Sequence, residues 1–83
     1  MNEIQTMDFQ RYSEYIDGKS VLEIGKFDDY DIAIEIAYHI EEVPAKFGLD
    51  KTAKSEIIRF VIEEPSKWST TLSIDGFIVL VWK

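Results

Sequence analysis

The last fifteen residues of the chain, 69–83, constrain the fold more than any other stretch. They form two runs of β-prone residues on either side of an Asp75-Gly76 pair. Such a pair is a strong hairpin signal, because both central positions of a type I′ turn need positive φ. We therefore predict a C-terminal β-hairpin that turns at Asp75-Gly76, so that Ile74 faces Phe77 across the ribbon.

In this register one face of the hairpin still needs a cover. It carries Ile78, Leu80 and Trp82 beside serine and threonine residues, so half of it is apolar. A helix, a third strand or another molecule could supply the cover. We keep two alternatives: the first helix of the chain lies over this face, or Ile78, Leu80 and Trp82 form a dimer contact or a second interface.

Apolar spacing and the positions of Gly and Pro divide the rest of the chain into elements. They predict, in order, a helix over 7–16, a strand over 20–27, a helix over 28–43 and a helix over 51–64. For 7–16 a strand remains an alternative, because Asp17-Gly18 is also a hairpin signal. The order α-β-α-α-β-β indicates an α+β fold, with a three-stranded antiparallel or mixed sheet packed by two or three helices. A chain of 83 residues has room for one domain, 1–83.

The stretch 28–43 fits two templates. Isoleucines alternate with smaller or polar residues, as in a strand, yet the apolar residues also fill one arc when they are placed at about 100° per residue. Acids at the start suit a helix N-terminus, Ala33 and Ala37 are strong helix formers, and Pro44 ends the pattern. We predict a helix and leave Ile34 as the residue that this helix does not explain.

Residues 17–25 read Asp-Gly-Lys-Ser-Val-Leu-Glu-Ile-Gly. This stretch resembles the first motif of the nucleotide-cofactor methyltransferases, in which a helix leads into a strand that ends in a glycine loop. In that family a second glycine follows, whereas this chain continues Lys-Phe-Asp-Asp and is too short for the family's sheet. The resemblance covers nine residues, and it implies the order helix, strand, helix in this region.

Charge is distributed very unevenly along the chain. The net charge is −7, and the segment 28–42 contains six acids and no Lys or Arg. A field of this sign repels phosphate backbones and attracts basic surfaces, so we expect no direct binding to nucleic acid. The longest apolar runs fall far short of the roughly 18 residues of a membrane span, and the N-terminus lacks the features of a secretory signal. We expect no membrane partner and a cytoplasmic location.

The residue inventory leaves little room for catalysis. The chain has no cysteine and one histidine, His39, which excludes thiolate chemistry, Cys-based zinc sites and two-His metal sites within one chain. It also lacks a Gly-x-Ser-x-Gly turn and a glycine-rich loop that could cradle phosphate. Glu35 and His39 stand four apart, but a second pair of metal ligands is missing. We therefore predict no enzyme, no cofactor and no metal.

Aromatic residues among the acids of 28–42 are typical of a surface that binds a basic protein. The predicted partner-binding residues are Asp28, Tyr30, Asp31, Glu35, Tyr38 and Glu42. We expect a small acidic inhibitor that occupies the basic site of a nuclease or another nucleic-acid enzyme, of the toxin-immunity, antitoxin or phage anti-defence type. The alternatives are a solvated helix face without function, and a structural or assembly subunit that homodimerises through its C-terminal strand.

Overall fold

The computed structural model describes residues 4–82, and its two longest strands lie at the centre of the fold. The elements are β1 (Gln5–Met7), α1 (Phe9–Ile16), β2 (Val21–Phe27), α2 (Tyr30–Glu42), a 3₁₀ turn (Pro44–Phe47), β3 (Lys54–Pro65) and β4 (Thr70–Trp82). The strands form one sheet in the order β1-β3-β4-β2, in which β1 runs parallel to β3 and the other pairs are antiparallel. The α+β class is confirmed, with a four-stranded mixed sheet and two α-helices instead of the predicted three-stranded sheet and α-β-α-α-β-β order.

The predicted helix over 51–64 is wrong, because this stretch forms strand β3. Ile57 and Ile58 are both buried, on opposite faces of the sheet. A strand that is covered on both faces has a continuous apolar sequence. On a helical wheel such a sequence gives a wide apolar arc, so it can be mistaken for a helix. The β-branched residues Ile57, Ile58, Val61 and Ile62 favour the strand, since branching at Cβ restricts χ1 in a helix.

The predicted turn at Asp75-Gly76 is also wrong. β4 runs straight through this pair, and Asp75 is an extra residue in a β-bulge, since Gly76 pairs with Phe60 and Ile74 pairs with Val61. The chain turns instead at 66–69, where the Ser66 backbone N–H donates to the Ser69 carbonyl at 2.7 Å. Twelve paired positions between β3 and β4 outweigh the local turn preference of Asp-Gly.

The N-terminal part of the chain contains the predicted helix and one strand that was not predicted. Within 7–16 the helix alternative is confirmed, although α1 begins at Phe9, after Asp8 caps it by accepting a hydrogen bond from the Arg11 N–H at 2.8 Å. Met7 belongs to β1 instead, which pairs with the middle of β3. Three residues are too few for a periodic signal, so only their position beside β3 makes them a strand.

The sheet separates two small cores. On one face α2 packs on Ile57, Val79 and Val81, and on the other α1 packs on Ile58, Ile78 and Leu80. Residues 78–81 are therefore all buried, whichever way each side chain points. The predicted strand over 20–27 is confirmed as β2, which pairs with this inner half of β4.

Helix α2 confirms the prediction for 28–43. The Asp29 carboxylate caps it by accepting from the Asp31 N–H at 2.9 Å, and Ala33, Ala37 and Ile40 are buried against the sheet. Ile34 packs on the core, which explains its presence, whereas Ile32 is 48% exposed.

The outer half of the β3–β4 hairpin extends beyond both helices. We call residues 61–74 the β arm: the end of β3, the turn at 66–69 and the start of β4. β1 pairs with β3 only up to Phe60, and β2 pairs with β4 only from Phe77 onwards. The arm makes the chain elongated, with extents of 50 × 29 × 19 Å and a radius of gyration of 14.2 Å, against about 12 Å for a compact chain of this length.

Candidate functional site

Four of the six predicted partner-binding residues lie on one outward line of α2. Asp31, Glu35, Tyr38 and Glu42 are all exposed. Their spacing places them within an arc of about 60° and along about 16 Å of the helix axis. We call these four residues the acidic stripe. It exists because alanines at 33 and 37 hold the opposite side of the helix against the sheet.

The other two predicted residues lie elsewhere. Tyr30 is half-buried, and its ring packs edge-on against Phe77 with centroids 5.5 Å apart, so it turns towards the sheet rather than outwards. Asp28 is exposed but precedes the capping residue Asp29, so it lies at the N-terminal end of α2 rather than on the stripe. The predicted surface is therefore narrower than the six residues suggested.

The carboxylates of the stripe have no basic partner within residues 4–82. The single ion pair in this part of the chain joins Lys26 to Asp75, on the sheet. Asp31 and Glu35 are one helical turn apart, a spacing at which like charges cost a helix a few tenths of a kcal/mol. The stripe thus carries an uncompensated negative field.

The possible second interface at Ile78, Leu80 and Trp82 does not form an exposed surface. Ile78 is 4% exposed and Leu80 is 0% exposed, both in the core beneath α1. Trp82 is half-buried, and its Nε1–H donates to Glu56 at 3.0 Å. The chain's own first helix covers Ile78 and Leu80, so these two side chains are not available to a second copy.

Two tyrosines of α1 donate to carboxylates of the sheet. The Tyr12 hydroxyl donates to Glu23 at 2.7 Å, and the Tyr15 hydroxyl donates to Glu56 at 2.9 Å. Burial, followed by the neighbouring carboxylate, raises the pKa of both phenols above the ordinary value. Both phenols therefore stay protonated and act as donors that hold α1 on the sheet.

A cleft of about 550 Å³ opens between α2 and the start of β3. Its lining includes Tyr38, Lys54 and the carboxylates of Glu41 and Glu56. Glu41 accepts from the Ser55 backbone N–H at 3.2 Å, while Glu56 accepts from the side chains described above. Both carboxylates at the cleft are thus held by hydrogen bonds from other parts of the chain.

The ring of His39, the one histidine of the chain, packs edge-on against Phe47, with centroids 5.6 Å apart. Across the described range 4–82, His, Asp and Glu side chains nowhere gather in a group of three that could hold a metal ion.

The β arm carries a surface that was not predicted. Its exposed apolar side chains are Trp68 at 88%, Leu72 at 64%, Ile74 at 60% and Ile62 at 40%. The predicted turn at Asp75-Gly76 paired Ile74 with Phe77 inside a short hairpin, so this surface was not expected. If 54–65 had been predicted as a strand, the turn would have been predicted at 66–69. These apolar residues would then have been expected on a hairpin end away from the helices.

Comparisons with known proteins do not identify the chain. No family model matches it, and no curated protein or solved structure shows significant similarity to it. None of the helices within residues 4–82 has the length and apolar character needed to cross a bilayer.

Proposed function

We propose that this chain is a non-enzymatic protein-binding domain whose acidic stripe binds a basic surface of a larger protein. The observation that carries the proposal is the stripe itself: three exposed carboxylates and one exposed tyrosine on one line of α2, with no basic partner within residues 4–82. Charges of one sign steer encounter with an oppositely charged surface, and a tyrosine supplies contact area at low entropic cost.

The partner is a nuclease or another enzyme that acts on nucleic acid, and the chain acts as its inhibitor. Such an enzyme holds Lys and Arg where the phosphate backbone binds. Asp31, Glu35 and Glu42 spread along about 16 Å and present the same sign of charge as a short run of phosphates. Tyr38 packs between them, and the chain thereby blocks the site by occupancy rather than by chemistry.

A matched pair of double variants tests this proposal. Asp31→Lys with Glu35→Lys reverses two charges on the stripe, and Glu63→Lys with Glu64→Lys reverses two exposed charges on the β arm. Both variants change the net charge by the same amount, so a difference between them reports the position of the charges. Circular dichroism first establishes that both are folded.

Each protein is immobilised and exposed to lysate of its source cells, and captured proteins are identified by mass spectrometry. We expect a basic nucleic-acid enzyme that the native chain and the arm variant retain, that the stripe variant loses, and that rising salt releases. The purified enzyme is then titrated with each protein by calorimetry and assayed for activity. A loss of affinity of about tenfold or more for the stripe variant alone is expected. Equal binding by both variants would show that the stripe is not the contact surface.

A further inference from the structure

The β arm exposes a two-stranded ribbon whose edges differ in chemistry. The β3 edge carries Glu63, Glu64 and Pro65, which are the residues that proteins use to prevent further strand pairing. The β4 edge, 70–74, reads Thr-Thr-Leu-Ser-Ile and contains no charge and no proline. No strand of the described chain pairs with this edge, because β2 begins to pair at Phe77.

A two-stranded ribbon that no helix or further strand covers is expected to bind another strand. Two-stranded ribbons are only marginally stable in water, and exposed apolar groups on them mark contact surfaces. Leu72 pairs with Glu63 and Ile74 pairs with Val61, so both aliphatic side chains lie on the face of the sheet that carries α2. Adding a strand beside 70–74 would cover their sides and bond the free backbone groups of the edge.

We propose that the occupant of this edge is a second copy of the same chain, paired antiparallel through residues 70–74 of both copies. The two-fold axis passes beside Leu72, so Leu72 faces Leu72, Thr70 faces Ile74 and Thr71 faces Ser73 of the other copy. Paired residues share a face in this register, which keeps the aliphatic side chains together. The two sheets join into one, through the arms alone.

A second copy suits this edge better than a basic partner does, because residues 70–74 carry no acidic side chain that could attract a basic surface. Two chains of net charge −7 repel each other, and the β4 edge is a segment where they can meet without opposing like charges. Glu63 of the two copies would be three strand spacings apart, about 14 Å, beyond the Debye length of about 8 Å at physiological salt. Asp75, next to the edge, is neutralised by its ion pair with Lys26.

The contact is small and leaves the acidic stripe accessible. Edge pairing over five residues lies at the low end of specific interfaces, below about 1,200 Å² in total, and such contacts associate weakly. We therefore expect a dissociation constant of about 1 to 100 µM. The proposal does not depend on the proposed function, since α2 and the β arm are separate surfaces.

Sedimentation equilibrium on the native chain, from about 5 to about 500 µM, measures the association. We expect the mass to rise from 9.7 kDa towards twice that value. Leu72→Lys and Leu72→Glu, at a position that is 64% exposed, should each remain monomeric because like charges then meet at the axis. An equal mixture of the two should recover the dimer, because Lys then faces Glu. Ile62→Lys, on the other strand and the other face of the arm, should dimerise like the native chain.

The absence of cysteine provides a second measurement. Leu72→Cys should form a disulfide-linked dimer on mild oxidation, since facing Cα atoms of antiparallel strands lie about 4.5 to 5.5 Å apart, within the range of a disulfide, whereas Ile62→Cys should not. A native chain that stays monomeric at the highest concentration overturns the proposal. Dimers that persist in both charged variants also overturn it, and so does a failure of the mixture to recover the dimer.

Discussion

The inner half of the β3–β4 hairpin and the β arm both contain Ile, Leu and Val residues, but the surroundings of these residues are opposite. In the inner half Ile58, Val79 and Leu80 are completely buried between two helices, whereas in the β arm Leu72 and Ile74 are more than half exposed. Hydrophobic sequence alone therefore does not define a core. What defines it is whether the topology brings a helix over each face.

The largest expected effect compares one leucine from each half. Leu80→Ala removes a side chain that is 0% exposed, and the cavity should lower the free energy of unfolding by about 2–5 kcal/mol. Leu72→Ala removes a mostly exposed side chain and should change it by less than about 0.5 kcal/mol. Urea denaturation at low protein concentration measures both. Similar losses for the two variants would mean that the arm belongs to the folding core.

The next effect concerns Gly76, where the inner half of the hairpin meets the β arm. A Cβ at Gly76 would lie 2.9 Å from the Lys26 Cγ and 3.0 Å from the Phe27 carbonyl oxygen, and its φ of +157° suits glycine. The carbonyl belongs to paired backbone and cannot move away easily. Gly76→Ala should therefore cost about 1–3 kcal/mol in urea denaturation. Ser73→Ala, two positions beyond the bulge residue, serves as the control and should cost much less.

A smaller effect concerns the part of the sheet that α1 covers, where the Tyr12 hydroxyl donates to Glu23 of β2. Because the pKa of Tyr12 is raised in the folded state, its stabilising contribution is fully present below the ordinary value of 10.0 and is lost as pH rises above it. The free energy of unfolding should thus fall with increasing pH above about 10. Tyr12→Phe should cost about 1 kcal/mol at neutral pH and make that decline shallower.

Urea titrations between about pH 9 and about pH 11 follow this decline. Tyr38→Phe, on the exposed acidic stripe, is the matched control for the removal of one phenol hydroxyl. An identical slope for the native chain and Tyr12→Phe would show that this phenol is not what links stability to proton binding.

The same contrast explains which parts of the fold could be predicted from the sequence. α2 was predicted because Ala33 and Ala37, an acidic start and Pro44 all favour one helix. β3 was not, because burial on both faces removes the alternation that identifies a strand. The turn predicted at Asp75-Gly76 was wrong because these residues suit a β-bulge as well as a turn. Only the pairing of β4 with β3 on both sides of the pair distinguishes the two.

The acidic stripe could be predicted for a physical reason that does not extend to the β arm. Charges spaced along one helix follow from local geometry, so Asp31, Glu35 and Glu42 were correctly expected on one outward side. Tyr30 was not separable from them, because its contact with Phe77 comes from a distant strand. The arm depends wholly on where the hairpin turns, which is a long-range property.

The smallest expected effect tests whether the ion pair between Lys26 and Asp75 stabilises the junction between the inner half and the β arm. Lys26 and Asp75 form an ion pair beside the bulge, but their side chains remain 43% and 33% exposed. Solvent and salt screen such pairs, so Asp75→Asn should lower the free energy of unfolding by less than about 0.5 kcal/mol. Urea denaturation in low salt and in about 1 M NaCl should give the same small difference between native and variant, or a smaller one in high salt. A loss as large as that of Gly76→Ala would instead show that the ion pair fixes where the buried half ends and the arm begins.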